Sequence, residues 1–263
     1  MESSPFPEST PPSRPTSGSP SVSTGAQAPS AEPGAGAHRF LISIDDAGQF
    51  LVLPSAAVVL GHQRNSEVDL PLLADVEALH ARLERRTSFR GGVAWWLLPL
   101  ADGVFCNAEP LERPRSLRSG DRLQLGNVGL DFRMPDAASE SALLELREGM
   151  ECAGAERVLL MAEGEAGRIR IGTAKHGHVR VHELEREIVL VLRGEVLEIH
   201  VTVIGEDGSS REDVFPLAVP PTAWAHRSFK RSTPGRPPFS LGVGPVSIPY
   251  EARGDSAGPR GAQ

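Results

Sequence analysis

The chain has 263 residues, of which 40% are hydrophobic and 23% are charged, so it is long enough for two modest domains. Its formal net charge is −7 and its pI is near 5.7, which argues against a nucleic acid or an anionic membrane surface as the partner. Cys106 and Cys152 are the only cysteines, which are too few for a disulfide scaffold or a zinc site. Such sparse cysteine usage fits a reducing compartment.

The first 37 residues differ in composition from the rest of the chain. They are dominated by Ser, Pro, Thr and Gly, and besides Met1 their only large apolar residues are Phe6 and Val22. A segment with so little to bury cannot offset its ordering entropy, so we predict disordered tails over residues 1–37 and 251–263. The N-terminus lacks the apolar region of a signal peptide, and no run of about eighteen apolar residues occurs anywhere. We therefore expect a cytoplasmic protein.

Short apolar runs separated by turn residues begin at Phe40. FLISID (40–45) and FLVLP (50–54) flank the turn DAGQ and predict a β-hairpin, and SAAVVLG (55–61) predicts a third strand. Further strands are predicted over residues 67–70, 80–86, 94–100, 122–126 and 129–134. Helical periodicity is weak throughout, so the pattern indicates an all-β sandwich or barrel.

The second half of the sequence echoes the first. LGHQRNSEVDL (60–70) aligns with IGTAKHGHVRV (171–181), and residues 123–134 align with 239–250, both without a gap. Similar landmarks in the same order predict a tandem repeat. We expect a first sandwich over residues 38–136 and a second of the same kind over residues 140–250.

Several motif pieces occur in a fixed order within the first predicted sandwich. Leu60 and Gly61 end an early strand, Glu77-Ala-Leu-His80-Ala follows, and Asp102-Gly103 precedes Asn107. The segment Leu117–Gly126 reads Leu-Arg-Ser-Gly-Asp-Arg-Leu-Gln-Leu-Gly. Taken together, this ordered set resembles the forkhead-associated (FHA) domain family, the phosphothreonine-peptide-binding β-sandwiches.

The resemblance implies an FHA-type (SMAD/FHA) β-sandwich that binds another protein and is not an enzyme. It also implies structural roles for the residues that match the family's fixed positions. The glycines serve turns or close backbone approaches, and the histidine cross-links neighbouring loops. These residues are Gly61, His80, Gly103, Gly120, Asp121 and Gly126.

The chain departs from the family where phosphate is recognised. The family's arginine, serine and first asparagine are replaced here by His62, Glu77 and Asp102. A phosphothreonine needs donors, whereas ionised carboxylates only accept. We therefore expect phosphothreonine recognition to be weakened or lost, and the former pocket to become an acidic patch that prefers Lys or Arg. The predicted binding residues are His62, Arg64, Glu77, Asp102 and Asn107.

Other functions remain open at this stage. A working phosphothreonine-binding adaptor would need His62 and Arg64 to replace the lost arginine. An enzyme would need a catalytic constellation, and the sequence contains no phosphate loop, nucleophile elbow or metalloprotease motif. His176, His178 and His182 are close in sequence, and we interpret them as surface-loop residues rather than metal ligands. We predict no cofactor and no metal, and a partner protein that offers a phosphothreonine or a basic segment.

Overall fold

The computed structural model describes residues 39–87, 92–136, 138–204, 209–231 and 235–246. These residues form β-strands and a single 3-10 turn at Glu165–Gly167. In this part of the chain there is no helix long and apolar enough to cross a membrane. The predicted tails, residues 1–37 and 251–263, lie outside the described residues.

The strands are short and follow one another closely. Their bounds are β1 Phe40–Ile44, β2 Gly48–Leu53, β3 Ala57–His62, β4 Leu70–Leu72, β5 Ala81–Thr87, β6 Val93–Pro99, β7 Val104–Cys106, β8 Glu109–Pro110, β9 Arg115–Ser116, β10 Arg122–Leu125, β11 Val128–Arg133, β12 Ala142–Leu146, β13 Arg157–Leu160, β14 Ile169–Gly172, β15 Val179–Arg180, β16 Ile188–Arg193, β17 Val196–Ile204, β18 Ser210–Ala218, β19 Ala225–Phe229 and β20 Phe239–Pro245.

The strands form one long sheet and two shorter ones. The ten-stranded central sheet has the order β19-β20-β1-β2-β13-β12-β11-β10-β7-β8. One five-stranded sheet, β4-β3-β5-β6-β9, comes from the N-terminal half, and the other, β15-β14-β16-β17-β18, comes from the C-terminal half. The predicted all-β, FHA-like sandwich class is confirmed.

The two shorter sheets cover opposite faces of the central sheet. Along β2, Leu51 and Leu53 join a first core with the β3-β5-β6 sheet, whereas Phe50 and Val52 join a second core with the β14-β16-β17 sheet. Because neighbouring side chains of a strand point to opposite faces, a strand that feeds both cores is apolar at every position. β12 and β13 behave in the same way, so the middle of the central sheet is buried on both sides.

Hairpins from the two halves of the chain are interleaved in the central sheet. β12 pairs antiparallel with β11, and β13 pairs parallel with β2, so the hairpin β12–β13 helps to close the first core. In turn, β1 pairs antiparallel with β20, next to strands of the second core. All described residues belong to one compact unit. The boundaries 38–136 and 140–250 remain a proposal about sequence units, each of which receives a hairpin from the other.

Most predicted strands form close to the expected residues. One strand and one part of the repeat alignment differ from the prediction. The strand predicted over 67–70 begins at Leu70, because the Asp69 carboxylate accepts the backbone N–H of Val59 (2.8 Å) and Val68 is already buried in the preceding turn. Gly126 lies in the β10–β11 turn, but Gly242 lies within β20. The gap-free alignment of 123–134 with 239–250 therefore matches a turn glycine with a strand glycine, and these two positions are not structurally equivalent.

His178 is buried and is not a surface-loop residue, which corrects the interpretation of the histidine cluster. It is 4% exposed, it directly precedes β15, and its Nδ1 accepts the backbone N–H of Arg170 in β14 (3.2 Å). Burial lowers the pKa of His178 from 6.5 to about 4. His176 and His182 are exposed, as expected for surface residues.

This buried histidine predicts a loss of stability in mild acid. The folded pKa of about 4 lies below the value of 6.5 for an unfolded histidine, so the unfolded chain binds the proton more tightly. The stability from this group is complete above pH 6.5 and is lost as the pH falls toward 4. We expect His178 to lower the free energy of unfolding by about 2 kcal/mol between pH 7 and pH 5.

Denaturant titrations at pH 7 and pH 5 check this expectation. The matched variant is His178→Asn, whose amide oxygen can accept the Arg170 N–H but cannot be protonated. Between pH 7 and pH 5, the free energy of unfolding of the variant should fall by about 2 kcal/mol less than that of the unmodified protein. Equal losses in both proteins would show that His178 does not titrate in this window.

Candidate protein-binding site

The end of β3 lies directly against the loop that follows β4. A Cβ atom at Gly61 would be 2.3 Å from the carbonyl oxygen of Ala78, so only glycine permits this approach. The next residue, His62, donates its backbone N–H to the carbonyl of Glu77 (3.0 Å). This contact places the backbones of His62 and Glu77 side by side.

His80 connects this loop to the loop between β6 and β7. Its side chain is buried, and Nδ1 accepts the backbone N–H of Glu77 (3.1 Å). Its carbonyl oxygen accepts the backbone N–H groups of Leu100 (3.0 Å) and Ala101 (3.1 Å). Asp102 is the next residue, so His80 holds the loops of Glu77 and Asp102 at the same edge of the sandwich.

The side chains at this edge carry charge without a partner. His62 is half-buried, and its Nδ1 accepts the backbone N–H of Arg64 (3.1 Å). Arg64, Glu77 and Asp102 are exposed. Within the described ranges, none of these three side chains makes a hydrogen bond or ion pair. The loops therefore present free carboxylates and one free guanidinium to a partner.

A third carboxylate approaches from the same side. Gly126, in the β10–β11 turn, has φ +55°, and a Cβ there would be 2.2 Å from the carbonyl oxygen of Asp75. The backbone N–H of Asp75 donates to Oδ1 of Asn127 (3.2 Å), so this turn fixes the Asp75 loop. Asp75 is exposed. The sequence motif alone did not suggest this residue.

Asn107 lies on a different turn from the other predicted binding residues. It adopts φ +55° between β7 and β8. Its Nδ2 donates to Oδ1 of Asp121 (2.8 Å), and its Oδ1 accepts the backbone N–H of Arg122 (2.9 Å). Oδ2 of Asp121 also accepts the backbone N–H of Arg118 (2.7 Å). Gly120, which directly precedes Asp121, adopts φ +97°. Both ends of the Asn107 amide thus stabilise a turn.

Exposed leucines accompany the acidic residues, and sequence reasoning missed them. Leu73 is 69% exposed, Leu79 is 37% exposed and Leu100 is 48% exposed. All three lie in the loops that hold Asp75, Glu77 and Asp102. Leu73 and Leu79 stand between predicted strands in a turn-rich segment, whereas Leu100 was expected at the end of the strand predicted over 94–100. Exposed apolar residues grouped beside charges are typical of an interaction surface.

A groove of about 420 Å³ continues from Asp102 toward the β8–β9 connection. Its walls combine polar and apolar atoms, with carboxylates at Asp102 and Glu112. The lining residues are Pro99, Leu100, Ala101, Asp102, Gly103, Val104, Phe105, Pro110, Leu111 and Glu112. Gly103 turns the chain at its rim with φ +78°. The groove extends the acidic and apolar character of the loops.

Comparisons with known proteins agree with this geometry. The family model described as FHA domain matches residues 58–126, the segment that contains β3 to the β10–β11 turn. No curated protein matches the chain. Within the described residues, no group of three or more His, Cys, Asp or Glu side chains could hold a metal ion.

Among solved structures, two are similar to part of this chain. EmbR of Mycobacterium tuberculosis, in complex with a low affinity phosphopeptide, is 17% identical over 36% of this chain, with a TM-score of 0.27. The match covers 24% of the EmbR chain. The Slr1951 protein of Synechocystis sp. is 21% identical over 32% of this chain and 85% of its own, with a TM-score of 0.24. With scores this low, both are partial likenesses.

Proposed function

We propose that the loops 62–65, 73–80 and 100–103, called the acidic surface below, bind a basic segment of another protein. The observation that carries this proposal is the pair of exposed, unpartnered carboxylates of Glu77 and Asp102 on loops that His80 joins. FHA domains use these loops for phosphopeptides, so the general role in protein interaction follows the family. The preferred chemistry of the partner differs.

Charge decides against phosphothreonine at this surface. Each negative charge of a phosphate at about 4 Å from one carboxylate meets a repulsion of about 4 kcal/mol near a protein surface, which is about a thousandfold in affinity. His62 offers little compensation, because an imidazole lacks the permanent charge of the arginine that it replaces. A Lys or Arg side chain meets the same carboxylates with the opposite sign and gains hydrogen bonds.

The exposed leucines define the rest of the partner. Leu73, Leu79 and Leu100 supply apolar surface that a purely charged segment would leave exposed to water. The groove beyond Asp102 could take one apolar side chain between Leu100 and Leu111. The proposed ligand is therefore an extended segment in which a Lys or Arg is followed by an apolar residue.

A second candidate is a phosphothreonine-binding adaptor that uses His62 and Arg64. The observation in its favour is that the Arg64 guanidinium is exposed and has no partner in the described part of the chain. It could therefore reach a phosphate if Glu77 and Asp102 turned away. Asn107 contributes to neither candidate, because its amide already stabilises the β7–β8 turn.

We further propose that the protein is non-catalytic, works in the cytoplasm and contains a second FHA-like unit over residues 140–250. Cys106 and Cys152 are both unpaired and buried, as suits a reducing compartment. Support for the repeat comes from strand pairing. Leu60 of β3 pairs in parallel with Leu70, and Ile171 of β14 pairs in parallel with Val179 at nearly the aligned positions.

Neutralising one carboxylate should weaken binding of a basic ligand. The probe is the tightest Lys- or Arg-containing peptide from an unphosphorylated library, measured by calorimetry at low salt. We expect Glu77→Gln and Asp102→Asn each to lower its affinity by about fivefold, the effect of losing one exposed ion pair. Raising the salt concentration should reduce the difference between variants and unmodified protein.

The matched control is Glu195→Gln, which makes the same change in net charge at the exposed β16–β17 turn. It should leave the affinity unchanged. If all three variants weaken binding equally, net charge rather than the acidic surface attracts the peptide. If Glu77→Gln and Asp102→Asn have no effect, the peptide binds elsewhere.

A further inference from the structure

A second cavity, of about 370 Å³, lies on the opposite side of the central sheet, beside the edge strand β15. It is bounded by the β1–β2 turn, by β12 and β13, and by the loop between β14 and β15. Its lining residues are Asp46, Ala47, Phe50, Arg133, Pro135, Leu143, Glu145, Arg157, Lys175, Gly177, His178, Val179 and Arg180. The acidic surface contributes none of them.

Basic side chains dominate this cavity, although the whole chain is acidic. The two lining carboxylates already have cation partners: Asp46 lies 2.6 Å from Nη1 of Arg231, and Glu145 lies 2.9 Å from Nη2 of Arg133. The remaining charges in the lining are therefore positive. Lys175 and Arg180 are exposed, and neither has a hydrogen bond or ion pair in the described part of the chain.

A third cation, Arg157, is held in a fixed position. Its Nη1 donates to the carbonyl oxygen of Ala47 (2.6 Å), and its guanidinium carbon lies 5.3 Å from the centre of the Phe50 ring. No carboxylate forms an ion pair with it among the described residues. A guanidinium fixed in this way keeps further N–H donors for a planar or tetrahedral oxyanion.

The ring of His178 forms a buried part of the wall. Because its Nδ1 accepts the Arg170 N–H, the proton of the neutral ring is on Nε2, and Nε2 is buried without a hydrogen-bond partner. The Ser141 carbonyl and the buried Asp136 both raise the pKa of this ring, but desolvation outweighs them. Asp136 itself is 3.6 Å from Nη1 of Arg170.

We propose that this cavity binds a phosphate monoester, with Arg157, Lys175 and Arg180 as the cations. Three cations without carboxylate partners repel one another, and a dianion relieves that repulsion. Phe50, Pro135 and Val179 give the cavity an apolar wall that inorganic phosphate would leave uncovered. The organic group of a monoester would cover it.

Titration of the full chain with phenyl phosphate and with inorganic phosphate, by calorimetry at low salt, tests the proposal. We expect phenyl phosphate to bind, and to bind more tightly than inorganic phosphate. The double variant Lys175→Gln/Arg180→Gln should lower the affinity for phenyl phosphate by about tenfold or more, since two nearby charges are lost.

The matched control is Arg113→Gln/Arg118→Gln, which removes the same charge from exposed positions in the N-terminal half and should not change the affinity. Arg64→Gln separates this cavity from the acidic surface and should also have no effect. The proposal is overturned if neither anion binds, or if the Lys175/Arg180 variant binds as the unmodified protein does. Inorganic phosphate as the tighter ligand would exclude a monoester site.

Discussion

The variant His62→Arg/Glu77→Ser/Asp102→Asn should bind a phosphothreonine peptide about a thousandfold more tightly than the unmodified protein does. The change replaces two carboxylates by neutral donors and adds a permanent cation at the end of β3. The loops themselves need not move, because Gly61, His80 and the backbone contacts between the loops of Glu77 and Asp102 are untouched. Calorimetry with one phosphothreonine peptide measures the gain, with Lys175→Gln/Arg180→Gln added to both proteins so that the proposed phosphate cavity does not contribute.

Two further proteins make this experiment decisive. Glu77→Ser/Asp102→Asn alone should give a smaller gain, since it removes repulsion without supplying the cation. Adding Arg64→Gln to the triple variant should change little if the new arginine carries the phosphate. A triple variant that folds and still ignores phosphate would mean that these side chains do not converge as they do in FHA domains.

Leu144→Ala should lower the stability of the N-terminal half by about 2–5 kcal/mol, although Leu144 belongs to the C-terminal half of the sequence. Its side chain is fully buried in the first core, where β12 pairs with β11. Trp95 is fully buried in the same core, so its fluorescence reports on this part of the molecule. A Trp224→Phe background removes the exposed tryptophan of the C-terminal half.

The comparison variant is Leu190→Ala, which opens the second core at β16. If the interleaved hairpins make the two cores unfold together, both variants shift one denaturant transition seen by Trp95. If the cores unfold separately, Leu144→Ala shifts that transition and Leu190→Ala does not. If Leu144→Ala does not shift the denaturant transition seen by Trp95, the pairing of β12 with β11 is contradicted.

The sequence predicted the local structure well, because strands and turns leave a local pattern. Alternation and turn residues located β1, β2 and β5, and the alternation of side chains along a strand places only one tryptophan of the pair in β6 inside. Trp95 is fully buried, and Trp96 is half-buried with the Arg86 guanidinium 5.5 Å from its ring. Such features depend on neighbouring residues alone.

The interleaving of hairpins could not be predicted, because pairing partners depend on contacts between distant segments. The sequence does contain a signal for burial on both faces of a strand, namely the uninterrupted apolar runs 50–53 and 142–144. It does not indicate which strands pair. An ordinary two-layer sandwich would show alternation there instead. The burial of His178 was missed for the same reason: its neighbours in space, Ser141 and Arg170, come from other elements.

For the candidate site, the motif located the loops but not the whole surface. Gly61 and His80 mark positions where backbone geometry admits few alternatives, and such residues can be read from sequence. The exposure of Leu73 and Leu100 depends on how each loop leaves the sandwich. The cavity at Arg157 and Lys175 combines residues from both halves of the chain, so no local motif describes it.

The most direct measurement is calorimetry with three peptides of one sequence on the variant Lys175→Gln/Arg180→Gln, in which the proposed phosphate cavity is disabled. The first carries a phosphothreonine, the second the unmodified threonine, and the third a lysine at that position. An acidic surface at Glu77 and Asp102 predicts that the lysine peptide binds most tightly and that phosphorylation lowers affinity. Micromolar binding that requires the phosphate would contradict the acidic surface and establish the adaptor that uses His62 and Arg64.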